Sequence, residues 1–269
     1  MARGVEYKTR PQMRVMARAG IVVADALDAA RAAAVPGATT AQVDAAAAKA
    51  IAAGGATSNF LGYHGFPAVS CVSINDEVVH GIPGPRVIQD GDIVSIDCGA
   101  IVDGWHGDSA LSIIAGTPRG GQDTHLVERT KAALWAGIAA LTTAHRLDEV
   151  SGAIEDVADD AKVHPLIGYV GHGIGTAMHQ APEVLNYRTR GRHPKVKPGM
   201  CLAIEPMFVI GTAESTLLDD DWTVVSADGS RAAHWEHSIA VHEDGIWVLT
   251  ARDGGAAELA AFGIVPVAP

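Results

Sequence analysis

The sequence is poor in cysteine, aromatic residues and basic charge, and it has no long apolar run. Three cysteines, Cys71, Cys98 and Cys201, stand far apart, and none belongs to a CxxC pair. A disulfide framework or a zinc finger is therefore not expected, and a reducing compartment, the cytoplasm, is the natural location. No stretch of about 18 apolar residues is available to span a membrane. The start, Met1 to Lys8, lacks the apolar run of a signal peptide. Lys and Arg number 20 against 31 Asp and Glu, a net charge of -11. An acidic surface repels phosphates, so no nucleic-acid partner is expected. The longest basic stretch, residues 188–197, is broken by Gly and Pro and reads as a solvated loop.

What is present is the balance of a globular protein: 48% hydrophobic and 19% charged residues over 269 positions. Much of the apolar share is alanine, so the core rests on Val, Ile and Leu. A chain of this length buries roughly three quarters of its unfolded surface and needs no disulfide or structural metal to fold. The expectation is one domain over residues 1–269, with a short N-terminal arm of about residues 1–10, acting as a monomer.

Pro11 suits the first turn of a helix running to about Ala34, which Pro36-Gly37 ends. Thr40 can cap a second helix to about Ala53, stopped by Gly54-Gly55. The stretch from Ser58 to Gly84 is glycine-rich and aromatic, with a strand pattern at residues 70–74. Helical patterns recur near residues 125–143 and 148–162, and strand-like runs alternate with Gly/Pro turns from His164 to Thr250. Helices interspersed with hairpins predict an α+β fold rather than a parallel βαβ sheet.

Residues 92–99 alternate like a strand, Asp103-Gly104 is a two-residue hairpin signal, and residues 105–111 return. With Asp103 and Gly104 at the turn, paired positions sum to 207. Asp97 then faces Ala110 and Asp108 faces Gly99. Asp97 and Asp108 share a face as diagonal neighbours, roughly 7–8 Å apart or somewhat less. Two carboxylates on one face repel. Either one protonates or is exposed, or a cation lies between them. A second set of chemistry-bearing residues follows. His172 and His179 lie in the glycine-dense run Gly171-His172-Gly173-Ile174-Gly175, and either could be a hydrogen-bonded core residue or a ligand. Glu205 and Glu236 each interrupt an apolar run with no Lys or Arg beside them, where an unpaired carboxylate is costly. Four acids and one imidazole suit divalent ions.

These residues carry a resemblance to the methionine aminopeptidases. It rests on Leu61-Gly62-Tyr63-His64-Gly65-Phe66-Pro67, His80-Gly81-Ile82-Pro83, Asp97 with Asp108, the Gly171–Gly175 run, Ile204-Glu205-Pro206 and Glu236-His237, and it extends from about Tyr7 to about Val248. It implies the pita-bread fold, a curved antiparallel sheet backed by helices in pseudo-two-fold halves. Only 31 positions separate Glu205 from Glu236, too few for the helical insertion of type 2 members. Only 96 residues precede Asp97, too few for the extra domain of prolidases and Xaa-Pro peptidases. The chain thus resembles the short bacterial type 1 form.

The resemblance further implies two divalent ions (Co, Mn, Fe or Zn), with Asp97 on one, His172 and Glu205 on the other, and Asp108 and Glu236 bridging. Glu205 is the implied proton carrier, His179 the oxyanion donor, and His80 a contact to the peptide nitrogen beyond the scissile bond. Tyr63, Phe66, Cys71 and Trp222 are the implied methionine pocket. Phe60 and Met178 depart from the family there, which often has a small residue at the first and an aromatic at the second. A monovalent cation near Asn75 is also implied. The expected substrates are nascent polypeptides, at the ribosome or free, with a small second residue. Two other readings are a pita-bread binding protein that has lost catalysis, against which all five ligands speak, and an Xaa-Pro peptidase, against which the short N-terminal region speaks.

Overall fold

The computed structural model describes residues 4–269, so the first three residues of the expected arm lie outside it. The arm reaches Thr9 without regular secondary structure. Thr9 then opens helix α1 (Arg10–Ala33) with a capping box closed by Gln12, and Pro11 sits in the first turn, where its missing N–H costs nothing. Helix α2 spans Thr40–Ala53. Its cap is Thr39, not Thr40: the Gln42 amide donates to Thr39 Oγ1 at 3.3 Å and the Thr39 amide donates to Gln42 Oε1 at 2.8 Å. Thr40 is already helical, and its hydroxyl instead engages the backbone of Gly84. Two adjacent threonines both satisfy the cap rule, and only the one followed three residues later by Gln can close the box.

The long hairpin of Ile93–Val102 and Trp105–Ile114 pairs without a bulge. Asp103 and Gly104 both have positive φ, 50° and 80°, as a two-residue turn of this hand requires. The strand Ser70–Ile74 pairs with Ile93–Val102 on the other side. Helices α1 and α2 cover this sheet, and a core of Val23, Ile51, Ile74, Val94 and Ile96 fills the space between them.

The second half repeats the plan. Helices α3 (Gly121–Ala140) and α4 (Leu147–Ala161) cover a five-stranded sheet ordered Gly245–Val248, His237–His242, Cys201–Ile204, Gly171–Gly173 and Gln180–Val184. Leu134, Ile138, Ile154, Leu202 and Ile239 fill that core. Helix α3 starts four residues before the position the periodicity suggests. A tertiary ion pair between buried Asp123 and Arg231, at 2.8 Å, secures the first turn, which Gly121 opens.

The two sheets meet edge to edge. Ala110 and Glu236 exchange backbone hydrogen bonds, and buried serines stitch the seam: Ser109 Oγ donates to the Glu236 carbonyl, Ser238 Oγ to that of Asp108, and Ser112 Oγ to that of His234. One curved antiparallel surface backed by two helix pairs results, the α+β pita-bread arrangement with its pseudo-two-fold halves. The segment 188–197 is mostly exposed, and Arg188 pairs with Glu155 and Asp156. Among the described residues no helix is long and apolar enough to cross a membrane.

Candidate active site

The register of the hairpin decides where its acids point. Asp97 lies opposite Ala110 and Asp108 opposite Gly99, so both carboxylates leave the same face, toward the seam. Across the seam Glu236 follows the short strand Ala232–His234, and Glu205 follows Cys201–Ile204. His172 sits between two glycines that the packing requires. A Cβ at Gly171 would approach the Ala203 carbonyl oxygen to 2.4 Å, and one at Gly173 the Ala181 carbonyl oxygen to 2.3 Å. No side chain fits there.

Ligating atoms of Asp108, His172 and Glu236 lie within 4.8 Å of one another, all three residues being buried. Among the described residues none of the four acids pairs with Lys or Arg. Near them stand histidine nitrogens: His172 Nε2 is 3.4 Å and His234 Nε2 3.8 Å from Glu205. Asp97 Oδ1, Asp108 Oδ1 and Glu236 Oε1 are buried without a hydrogen-bond partner. Burial pushes Asp97, Glu205 and Glu236 well above the usual carboxylate range, and the neighbouring carboxylates add to it. Burial carries Asp108 up to about 7, against a hydrogen bond from the Ser109 amide.

His172 Nδ1 lies 3.0 Å from the Gly173 carbonyl oxygen, and a carbonyl only accepts. Nδ1 therefore carries the ring proton, and Nε2 presents a lone pair toward Glu205. Burial and the nearby His179 pull His172 down to about 3, so a second ring proton does not bridge that gap at neutral pH. Crowded, orphaned oxygens beside an unprotonated imidazole nitrogen are what divalent cations require. The donor set fits metal.

His179 closes the other side. Its ring centroid is 4.3 Å from that of His172, and the Tyr63 hydroxyl is 2.9 Å from its Nδ1. If Tyr63 donates, Nε2–H is free to face the cavity. His80 adopts a left-handed backbone, φ 61°, rare outside Gly, Asn, Asp and His. Burial, with His179 nearby, lowers it to about 4, so it is neutral at pH 7.

One cavity of about 190 Å³ gathers these groups. It is lined by Asp97, Asp108, His172, Glu205 and Glu236, by His80 and His179, and by Phe60, Tyr63, Phe66, Cys71, Met178 and Trp222. Phe66 stands edge-on to both Phe60, at 6.4 Å, and Trp222, at 5.0 Å. The sequence reading missed His234, which is buried with Nε2 unpartnered beside Glu205. Its signal was present, since positions 234 and 236 share a face in an extended run. It also missed Asn186, whose Nδ2 donates to the Glu205 carbonyl at 3.0 Å. Asn75 is committed to the fold: its side chain donates to Asp92 and accepts from the Ile93 amide, and its carbonyl accepts from the Ala232 amide.

Fold and donor set together describe a metal-dependent hydrolase, and the chain belongs to metallopeptidase family M24, which residues 14–243 match. Within that family it is similar to methionine aminopeptidase 1 of Mycobacterium tuberculosis, 49% identical over 255 residues covering 92% of this chain and 96% of that protein. Among solved structures it is similar to methionine aminopeptidase from Thermotoga maritima, with a TM-score of 0.89, 37% identity and coverage of 93% and 100%. Prolidase from Pyrococcus furiosus shares the fold at a TM-score of 0.72 and 20% identity, and this chain spans 65% of its length.

Proposed function

We propose that this chain is a methionine aminopeptidase of the short type 1 form, a single catalytic unit over residues 1–269 that removes the first methionine from polypeptides with a small second residue. The observation that carries the reading is one cavity in which a metal-ligand set adjoins an apolar pocket. In this reading the chain is a cytoplasmic monomer acting on nascent chains, at the ribosome or after release.

Asp97, Asp108, His172, Glu205 and Glu236 would hold two divalent ions, with Co, Mn, Fe and Zn the candidates. Bound there, the ions supply Lewis acidity that makes water a nucleophile at neutral pH. The residues do the rest. Glu205, in the wall of the cavity, takes the proton of the attacking water and returns it to the leaving amine. His179 Nε2–H donates to the oxygen of the scissile carbonyl as charge develops on it, and Tyr63 keeps that proton on Nε2. His80 contacts the peptide nitrogen beyond the scissile bond. The walls formed by Phe60, Tyr63, Phe66, Cys71, Met178 and Trp222 take an unbranched thioether by shape and exclude charge. Beside Asn75, the second lone pair of its carbonyl is the donor left for a monovalent cation.

The test is hydrolysis of a short Met-Ala peptide and of Gly-Pro as metal is titrated into chelated protein. Metal-dependent release of methionine, with Gly-Pro intact, supports the reading. Cleavage of Gly-Pro alone, or of neither peptide at any metal load, removes it.

A further inference from the structure

The loop between the strands Gly171–Gly173 and Gln180–Val184 carries His179 near its end, and its outer side, Thr176 and Ala177, is exposed. Packing from outside therefore does little to hold it. Its inner side is held by the body of the protein, with Ile174 and Met178 buried and the His106 amide donating to the Gly175 carbonyl at 2.9 Å, and its outer side is gripped by the N-terminal arm. Glu6 Oε1 accepts from the Thr176 hydroxyl at 2.9 Å and Glu6 Oε2 from the Thr176 amide at 3.2 Å. Lys8 Nζ donates to Gln180 Oε1 at 3.1 Å and to the Glu6 carbonyl at 3.0 Å, and lies 3.5 Å from Glu6 Oε2. Gln180 Nε2 closes the circuit by donating to the Thr176 hydroxyl at 3.3 Å.

Two further observations show that this ring is built rather than incidental. Lys8 is only 5% exposed, and a buried ammonium is strongly destabilising once an acceptor is removed. Gly175, at the centre of the loop, leaves room for it: a Cβ there would meet Glu6 Oε2 at 2.3 Å and Lys8 Nζ at 2.7 Å. The arm is itself anchored, because the Lys8 amide donates to the Gly199 carbonyl at 2.6 Å and Thr9 caps α1 directly after it. The grip therefore runs from the body of the protein to the residue next to His179.

We propose that Glu6 and Lys8 are positioning residues that fix the Gly175–Gln180 loop and, through it, the approach of His179 to the scissile carbonyl. The proposal rests on the aminopeptidase reading for its kinetic consequence but not for its mechanical one. A shift of about 1 Å in a catalytic donor is enough to cost on the order of a hundredfold in rate.

The test compares metal-loaded wild type, Lys8→Met, His179→Ala and the double variant. Hydrogen exchange over residues 174–180 is read first. Lys8→Met is expected to speed exchange there by roughly tenfold or more while the hairpin at 93–114 keeps its protection. Hydrolysis of Met-Ala-Ser is read second. Lys8→Met is expected to lower kcat by roughly tenfold or more with KM moving less than about threefold, and to cost nothing further in the His179→Ala background. Unchanged exchange in the loop, a loss confined to KM, or the same kcat loss in both backgrounds overturns the proposal. Wild type inert toward Met-Ala-Ser would sink the aminopeptidase reading alone, and the exchange arm would still decide the mechanical claim. Glu6→Gln, at a partly exposed position, repeats both readouts should Lys8→Met not fold, with the same expected and overturning results.

Discussion

The two halves of the molecule supply ligand candidates in opposite ways. Asp97 and Asp108 sit on a hairpin of two ten-residue strands whose pairing is regular from Ile93 to Ile114, and strand alternation alone aims them. His172, Glu205 and Glu236 sit on or beside shorter strands, of three to six residues, with a register shift at His172/Gly173. There the placement comes from glycine clearances beside His172, from a serine bonded across the seam to the Glu236 carbonyl, and from Asn186 bonded to that of Glu205. A long hairpin specifies geometry locally, whereas short strands do so only once the sheets have met.

The comparison breaks most visibly at the carboxylates. Asp108→Asn preserves the shape and the register of the hairpin but removes a charge from the centre of the donor set. We expect kcat/KM on a Met-Ala peptide to fall by about a thousandfold or more, on the scale of losing transition-state charge stabilisation, with the circular dichroism spectrum unchanged. Near-normal activity at verified metal content would remove Asp108 from the metal site. A smaller loss is expected across the seam. His179→Ala should lower kcat by about 10²–10³-fold, roughly 3–4 kcal/mol, with little change in KM. Tyr63→Phe should cost about tenfold, the worth of one hydrogen bond that orients the ring. A change confined to KM in His179→Ala would reassign it to substrate positioning.

The same contrast explains what could be read in advance. The sum rule for the hairpin needed only the Asp103-Gly104 turn, so the facing of Asp97 and Asp108 was legible from spacing. The strand at Ser70–Ile74 and the spans of α1 and α2 were legible as well. The link from Tyr63 to His179, the bare Nε2 of His234 beside Glu205, and the first turn of α3 were not. Each depends on residues 108–116 positions apart or on sheets that meet only in the fold. Grouping the five ligand candidates took the family resemblance, because nothing along the chain says that the Glu205 run and the Asp97 run converge.

Removing the metal should expose a pH dependence whose sign follows from the carboxylates. Asp97, Glu205 and Glu236 are raised in the fold, and Asp108 is raised to about 7, against about 4 in an unfolded chain. The folded, metal-free protein thus holds protons that the unfolded chain has released. The stabilising contribution is full below about pH 4 and is lost, for Asp108, as pH rises through about 7 and, for the other three, as pH rises through their raised folded values. Chelated protein should lose several degrees of Tm between about pH 5 and about pH 8, and loaded protein should not. Asp108→Asn should flatten the slope of the chelated form. Equal slopes with and without metal would mean that the cluster does not govern stability.

A change in selectivity rather than in rate is expected at the pocket, where this chain departs from its relatives. Phe60 is 7% and Met178 4% exposed, and they share one apolar cluster with Phe66 and Cys71. The edge-on contact of Phe60 with Phe66 makes Phe60 part of the wall and a support for it at once. Its bulk is offset by Met178, which is softer and more adaptable than a ring. The pocket should therefore still fit an unbranched chain of the length of methionine. One methylene there is worth only about 1–3 kcal/mol, so norleucine should be accepted, while leucine and valine fail on branching and lysine on charge. A panel of X-Ala-Ser peptides with X as Met, norleucine, Leu, Val and Lys, run on wild type and Phe60→Cys, measures this. Phe60→Cys should narrow the gap between Met and Leu by about tenfold, because the enlarged pocket admits the branch. If wild type cleaves Leu or Lys as well as Met, the methionine assignment fails. If Phe60→Cys leaves the ranking as it was, Phe60 serves to support Phe66 and does not bound the pocket.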